Sequence, residues 1–63
     1  PLNLYEAVSV GAAMAYLKNG RINTVGVQEW IKDKELIKYT TGATNSKVRV
    51  IKRIEYCRNK FEE

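Results

Sequence analysis

The chain has 63 residues, with 11 Lys or Arg against 7 Asp or Glu, no histidine, one cysteine and a net charge of +4. That length holds one small domain with a thin core, because so short a chain buries only about 60% of the surface it exposes when unfolded. A single cysteine excludes an internal disulfide, and the missing histidines exclude the usual zinc sites and His-based nucleophiles, so no metal or cofactor is expected.

The spacing of apolar residues predicts an all-α bundle of three to four helices, at about 4–19, 25–32, 34–40 and 46–61. The first opens on Asn3-Leu4-Tyr5-Glu6, an approximate capping box with Asn3 as cap and Glu6 reaching back to it. Leu2 would pack on Ala7 as a hydrophobic staple, and Gly20 would end the helix in the left-handed conformation. Val8, Val10, Met14, Tyr16 and Leu17 point in several directions, leaving no broad polar face. A helix apolar all round is normally surrounded by protein, which implies a missing partner. Ala7, Gly11 and Ala15 form a small-residue stripe at i, i+4, i+8 that admits another helix closely. It reads as tight core packing, with dimerisation as the alternative. The uncharged run 7–17 is too short to span a bilayer, and no basic segment precedes it as in a signal peptide.

Next comes a connector anchored by Ile22, with Thr24 as cap candidate for a short helix through Val27, Trp30 and Ile31. Trp30 reads as core more readily than as a ligand platform. Asp33 caps a further helix whose inner side is Leu36, Ile37 and Tyr39, unless the two are one kinked helix. The connector 40–46 is rich in hydroxyls and leads to Ser46, the best cap for the last helix, with Thr44 or Asn45 as alternatives. Val50, Ile54, Cys57 and Phe61, with Ile51 beside them, make its apolar stripe, and Cys57 reads as a buried structural thiol.

The opposite face of that helix gathers Arg49, Lys52, Arg53, Tyr56 and Lys60. With Ser46 and Lys47 at the helix start, these are the candidate phosphate or nucleic-acid contacts. A solvated face, or ion pairs to a larger parent, is the plainer reading. The carboxylates Glu6, Glu29, Asp33, Glu35, Glu55, Glu62 and Glu63 sit in no pocket-forming motif, and Gly42 stands alone without a phosphate-loop pattern. The chain alone is therefore not expected to be an enzyme. The lack of a disulfide framework favours a reducing, cytoplasmic setting.

Two stretches carry a resemblance: LYEAVSVGAA near the start and ELIKYTTGATNSKVRVIKRIEYCRNKF at the end. Together they resemble the C-terminal helical region of the ParB/sulfiredoxin-like domain-of-unknown-function family, which includes the S component of GmrSD-type modification-dependent restriction systems. The matching positions are Leu4, Tyr5 and Glu6 for a Leu-Phe-Glu helix start, Gly42 and Thr44 for a Gly-Thr turn, and Val50 and Arg53 in a hydrophobic–basic helix. Tyr5 stands for Phe, Ala43 separates the glycine from the threonine, and 19–33 is unmatched. In that family the chemistry belongs to an N-terminal domain with an Asp-Gly-Gln-Gln-Arg type signature, which this chain lacks. The resemblance implies an accessory helical end of a prokaryotic DNA-defence protein, packing on a missing N-terminal domain. The alternatives from the residues themselves are an independent helix-turn-helix DNA-binding module with 47–60 as recognition helix, and a homo-oligomer formed through Ala7, Gly11 and Ala15.

Overall fold

The computed structural model describes residues 2–41 and 46–63. Four helices pack together in it: α1 (Leu2–Asn19), α2 (Val27–Trp30), α3 (Lys34–Thr40) and α4 (Lys47–Glu62). The described residues contain no strand. The all-α bundle expected from apolar spacing is what forms, with α2 and α3 as two separate helices.

The framework is the α1–α4 pair. Glu6 meets Arg53, Gly11 lies against Cys57, and Lys18 reaches Glu62, so contacts rise in step and the helices run parallel. The Ala7–Gly11–Ala15 stripe is the seam: both alanines are fully buried. At Gly11 an added Cβ would lie only 2.7 Å from Cys57 Cβ and 2.8 Å from the Arg58 backbone nitrogen. Glycine is required there by space, not by backbone angle. The stripe therefore lies under α4 and is not available as a dimer seam on the surface.

Leu36, Trp30, Cys57 and Phe61 complete the core, with Leu4, Val8, Ala12, Ile22, Val27, Ile31 and Tyr56 partly buried around it. Trp30 stands edge-on to Phe61, 5.2 Å between ring centres, and to Tyr56 at 6.2 Å. These edge-to-face contacts add about 0.5–1.5 kcal/mol each to what burial supplies. Trp30 is core, as its spacing implied.

The helix ends correct several expectations. Because α1 already begins at Leu2, Asn3 lies within its first turn and is not its cap. Leu2 is 81% exposed, so it forms no staple. The Glu6 carboxylate turns across to Arg53 in place of reaching back to Asn3. Thr24 does not cap α2. That position belongs to Gly26 at φ 85°, whose left-handed backbone starts the helix without a side-chain bond. Gly20, at φ 74°, ends α1 as anticipated, its N–H donating to the Tyr16 carbonyl at 2.7 Å. Asp33 and Ser46 are the caps of α3 and α4, accepting from Glu35 N at 2.9 Å and Arg49 N at 3.3 Å. The alternative caps Thr44 and Asn45, and the Gly42–Thr44 turn, lie outside the described residues.

The buried face of α4 is rotated from the expected stripe. Arg53, Cys57 and Phe61 are buried, Val50 and Ile54 are half-buried, and Ile51 is 44% exposed. Space and charge together explain the rotation. The small residues of α1 draw Cys57 onto the seam, and Glu6 on α1 supplies the anion that lets the Arg53 guanidinium lie inside.

Candidate functional site

The basic face of α4 is the natural place to look for a site, and the C-terminal end of α3 decides what that face does. The last carbonyls of a helix have no partner within it. Here side chains from three helices satisfy them. Arg49 Nη1 donates to the Lys38 carbonyl at 3.2 Å and the Thr41 carbonyl at 3.5 Å. Arg53 Nη1 donates to the Tyr39 carbonyl at 3.5 Å, and Asn3 Nδ2 to the Thr40 carbonyl at 3.4 Å. The Thr40 and Thr41 hydroxyls turn back to the Ile37 carbonyl at 3.1 and 3.0 Å. Two guanidinium groups at a helix C-terminus also complement its dipole, worth about 0.3–1 kcal/mol each and more when partly buried.

Arg53 is the main correction. Its side chain is 2% exposed and its Nη2 donates to Glu6 Oε1 at 2.9 Å. A buried, paired guanidinium offers no donor to a phosphate without unfolding the contact. The helical wheel placed it among solvent charges because it lacked the carboxylate that arrives from α1. Arg49 is half-buried and serves α3 in the same manner.

Tyr56 is likewise half-buried, packed edge-on against Trp30. Burial raises its phenol pKa above the ordinary value, and the Asp33 carboxylate pushes in the same direction. The hydroxyl still has no partner at hydrogen-bonding geometry among the described residues. Lys60 lies over the Tyr56 ring, 5.7 Å from its centre, and within 3.7 Å of Glu63. Ser46 is exposed, but its Oγ is engaged as the α4 cap; Lys47 is exposed beside it.

A different pair of lysines stays outside. Lys38 on α3 and Lys52 on α4 lie over the Tyr39 ring, their Nζ atoms 5.8 and 5.9 Å from its centre. Both lysines are exposed, and no ion pair engages either among the described residues. Lys38 was absent from the sequence-derived set because it sits on another helix. The spacing of charge within α4 cannot show a partner brought in by tertiary contact.

The second surface is apolar. Leu2, Tyr5 and Leu17 are 81, 72 and 84% exposed on α1, and Val10, Met14 and Tyr16 are also uncovered. Tyr5 also lines a groove of about 360 Å³ together with Leu4, Val8, Ser9, Val27 and Ile31. The bundle thus covers one side of α1 and leaves much of its apolar side-chain surface open, with Glu6 and Lys18 as its charged residues.

At the other end, an open cleft of about 530 Å³ lies between the C-termini of α1 and α4, where Arg21 faces Glu62 and Glu63. Asn23 closes its base. Its N–H donates to the Phe61 carbonyl at 2.8 Å and its Nδ2 to the Glu63 carbonyl at 3.2 Å, so the connector caps α4. Burial pushes the Cys57 thiol up to about 11, which keeps it protonated and inert. No group of three or more carboxylate or thiol side chains among the described residues could hold a metal. No helix among them is long and apolar enough to cross a membrane. No protein family, no curated protein and no solved structure matches the chain.

Proposed function

We propose that the chain is a non-catalytic helical accessory domain of a larger prokaryotic, nucleic-acid-acting protein of restriction or defence type, working in the cytoplasm. In this reading the outer face of α1 docks on the catalytic domain of that protein. The observation that carries it is the uncovered apolar surface of α1: Leu2, Tyr5 and Leu17 stand more than 70% exposed, and Tyr5 also lines an apolar groove with Leu4, Val8, Val27 and Ile31. Exposed apolar surface of this extent marks a candidate interaction site. The resemblance to the ParB/sulfiredoxin-like family names the kind of parent. The two stretches that carry it meet at the Glu6–Arg53 ion pair.

The isolated chain is expected to bind an apolar dye and to self-associate at micromolar concentration in sedimentation. Leu17→Glu and Tyr5→Lys should suppress both. A clean monomer with no dye signal would remove the docking argument. The coding sequence upstream of Pro1 tests the parent. An Asp-Gly-Gln-Gln-Arg-like segment there supports the reading, and an initiation codon in its place refutes it.

A further inference from the structure

We infer that Tyr39, Lys38 and Lys52 form a contact for the phosphate backbone of duplex nucleic acid, placed across the α3–α4 junction. The inference rests on the nucleic-acid part of the function proposed above and is independent of α1 docking, since it uses neither α1 nor its groove.

Three observations carry it. The first is the separation of arginines from lysines. Arg53 is buried between the Tyr39 carbonyl and Glu6, and the half-buried Arg49 directs its Nη1 to the Lys38 and Thr41 carbonyls. The lysines of the same region are not consumed in this way. The second is the absence of neutralisation. Glu35 lies one turn before Tyr39 and Glu55 three residues after Lys52, yet neither makes an ion pair with the two lysines among the described residues. Unpaired ammonium groups on a small patch raise the local positive potential and attract polyanions. The third is preorganisation. Lysine normally loses much rotamer freedom on binding, but here one ring gathers two ammonium groups from different helices, each under 6 Å from its centre. Folding of the bundle brings both ammonium groups to one ring before any ligand arrives.

The same geometry selects the mode of contact. With two ammonium groups already over the Tyr39 ring, an unpaired base that stacks there has to compete with them. Lysine is a point charge with no planar fork to read a base edge. Sequence-tolerant phosphate contact follows, of the kind that positions a domain on duplex without specifying sequence. An acidic protein segment or an anionic membrane would meet the same charges, and Ile37, Val48 and Ile51 are exposed near them; the phosphate backbone is the occupant proposed because the patch presents unpaired ammonium point charges, which suit phosphate contact.

The test is a salt titration of the full chain with two unrelated labelled duplexes, followed by fluorescence anisotropy. Two phosphates neutralised give a slope of log affinity against log salt of about −2. Lys38→Ala and Lys52→Ala should each flatten that slope by about one and weaken both duplexes alike. Tyr39→Leu keeps the charges, so its slope should hold while affinity falls severalfold. Lys18→Ala removes the same charge at the far end of the bundle, where Lys18 faces Glu62, and should change neither quantity. Equal losses from Lys18→Ala and Lys52→Ala would show that net charge alone is at work and overturn the inference. No binding at low salt would overturn it too, as would tighter binding to vesicles containing phosphatidylserine than to duplex. Circular dichroism of each variant separates loss of contact from loss of fold. Failure here leaves the α1 docking result untouched, so the two readings fail separately.

Discussion

Replacing Gly11 with alanine sets two effects of opposite sign against each other, and the α1–α4 seam decides between them. In an unhindered helix interior the change stabilises by about 1 kcal/mol, because alanine loses less backbone freedom on folding. At Gly11 the new methyl would sit 2.7 Å from Cys57 Cβ, 2.8 Å from Arg58 N and 3.1 Å from Cys57 C. Carbon atoms pack comfortably at about 3.5–4.0 Å, so α4 must withdraw by roughly 1 Å. Two of the three obstructing atoms are backbone, which cannot rotate aside. Withdrawal loosens the contacts of Ala7 and Ala15 and draws Arg53 off Glu6 along the same seam. Overpacking of this kind costs typically 1–3 kcal/mol, and the rigid neighbours place this site at the upper end. The expected net effect is a loss of about 1–2 kcal/mol, lowering Tm by at least about 4 °C in a domain of this size. Urea unfolding followed by far-UV circular dichroism measures it. Ala13→Gly, on the exposed face of the same helix, calibrates the propensity term at a site where nothing packs. If Gly11→Ala stabilises by about what Ala13→Gly costs, the close helix approach is refuted.

Three further outcomes are expected. Arg53→Ala leaves Glu6 and the Tyr39 carbonyl without their guanidinium and should cost about 3 kcal/mol, whereas Glu6→Gln keeps an acceptor and should cost about 1 kcal/mol; losses under 0.5 kcal/mol for both, by urea unfolding, would show a solvated pair. Cys57, raised from 9.0 to about 11, should alkylate about a hundredfold more slowly at pH 8 than in the unfolded chain. Because its folded value is the higher one, its contribution to stability is complete below pH 9.0 and is lost as pH rises towards about 11; an unfolded-like alkylation rate would place the thiol at the surface. Asp33 is held below its ordinary 3.8, first by the hydrogen bond from the Glu35 N–H and also by the charge of Lys60. A depressed folded value means its contribution is present above 3.8 and lost as pH falls through the lower folded value, so acid titration of stability should be shallower in Asp33→Asn.

The helices were legible in the sequence because local signals specify them. Asp33 and Ser46 announce α3 and α4 by side-chain capping, and Gly20 ends α1 through its left-handed backbone. The Ala7–Gly11–Ala15 stripe announced a close partner, since only small residues at that spacing admit a second helix. What stayed hidden were decisions made at long range. Glu6 fits a local capping box and equally fits an ion pair with a residue 47 positions away, and only the fold chooses. Asn23 was read merely as part of a connector, yet it caps α4 across 40 residues. Lys38 entered no pattern within α4 because it reaches Tyr39 from α3.

The candidate site was half legible for a reason that lies in the side chains. A helical wheel treats arginine and lysine as one kind of charge, and on α4 they part company. Arginine presents five donors in a planar fork and is weakly hydrated, so it can lie inside if carbonyls and a carboxylate receive it. The C-terminal carbonyls of α3 and the Glu6 carboxylate do so for Arg49 and Arg53. A lysine ammonium is strongly hydrated and keeps its head in water, as Lys38, Lys47 and Lys52 do. Cations on a predicted amphipathic helix therefore carry unequal weight as ligand contacts. Arginines beside an apolar stripe, with a carboxylate elsewhere in a short chain, belong first to the fold. Lysines two or three positions away remain for a partner. Here that sorting removes Arg53 from the surface and puts Tyr39 with its two lysines at the centre of the basic patch. The protein dock proposed on α1 and the phosphate contact proposed at the α3–α4 junction therefore use separate faces.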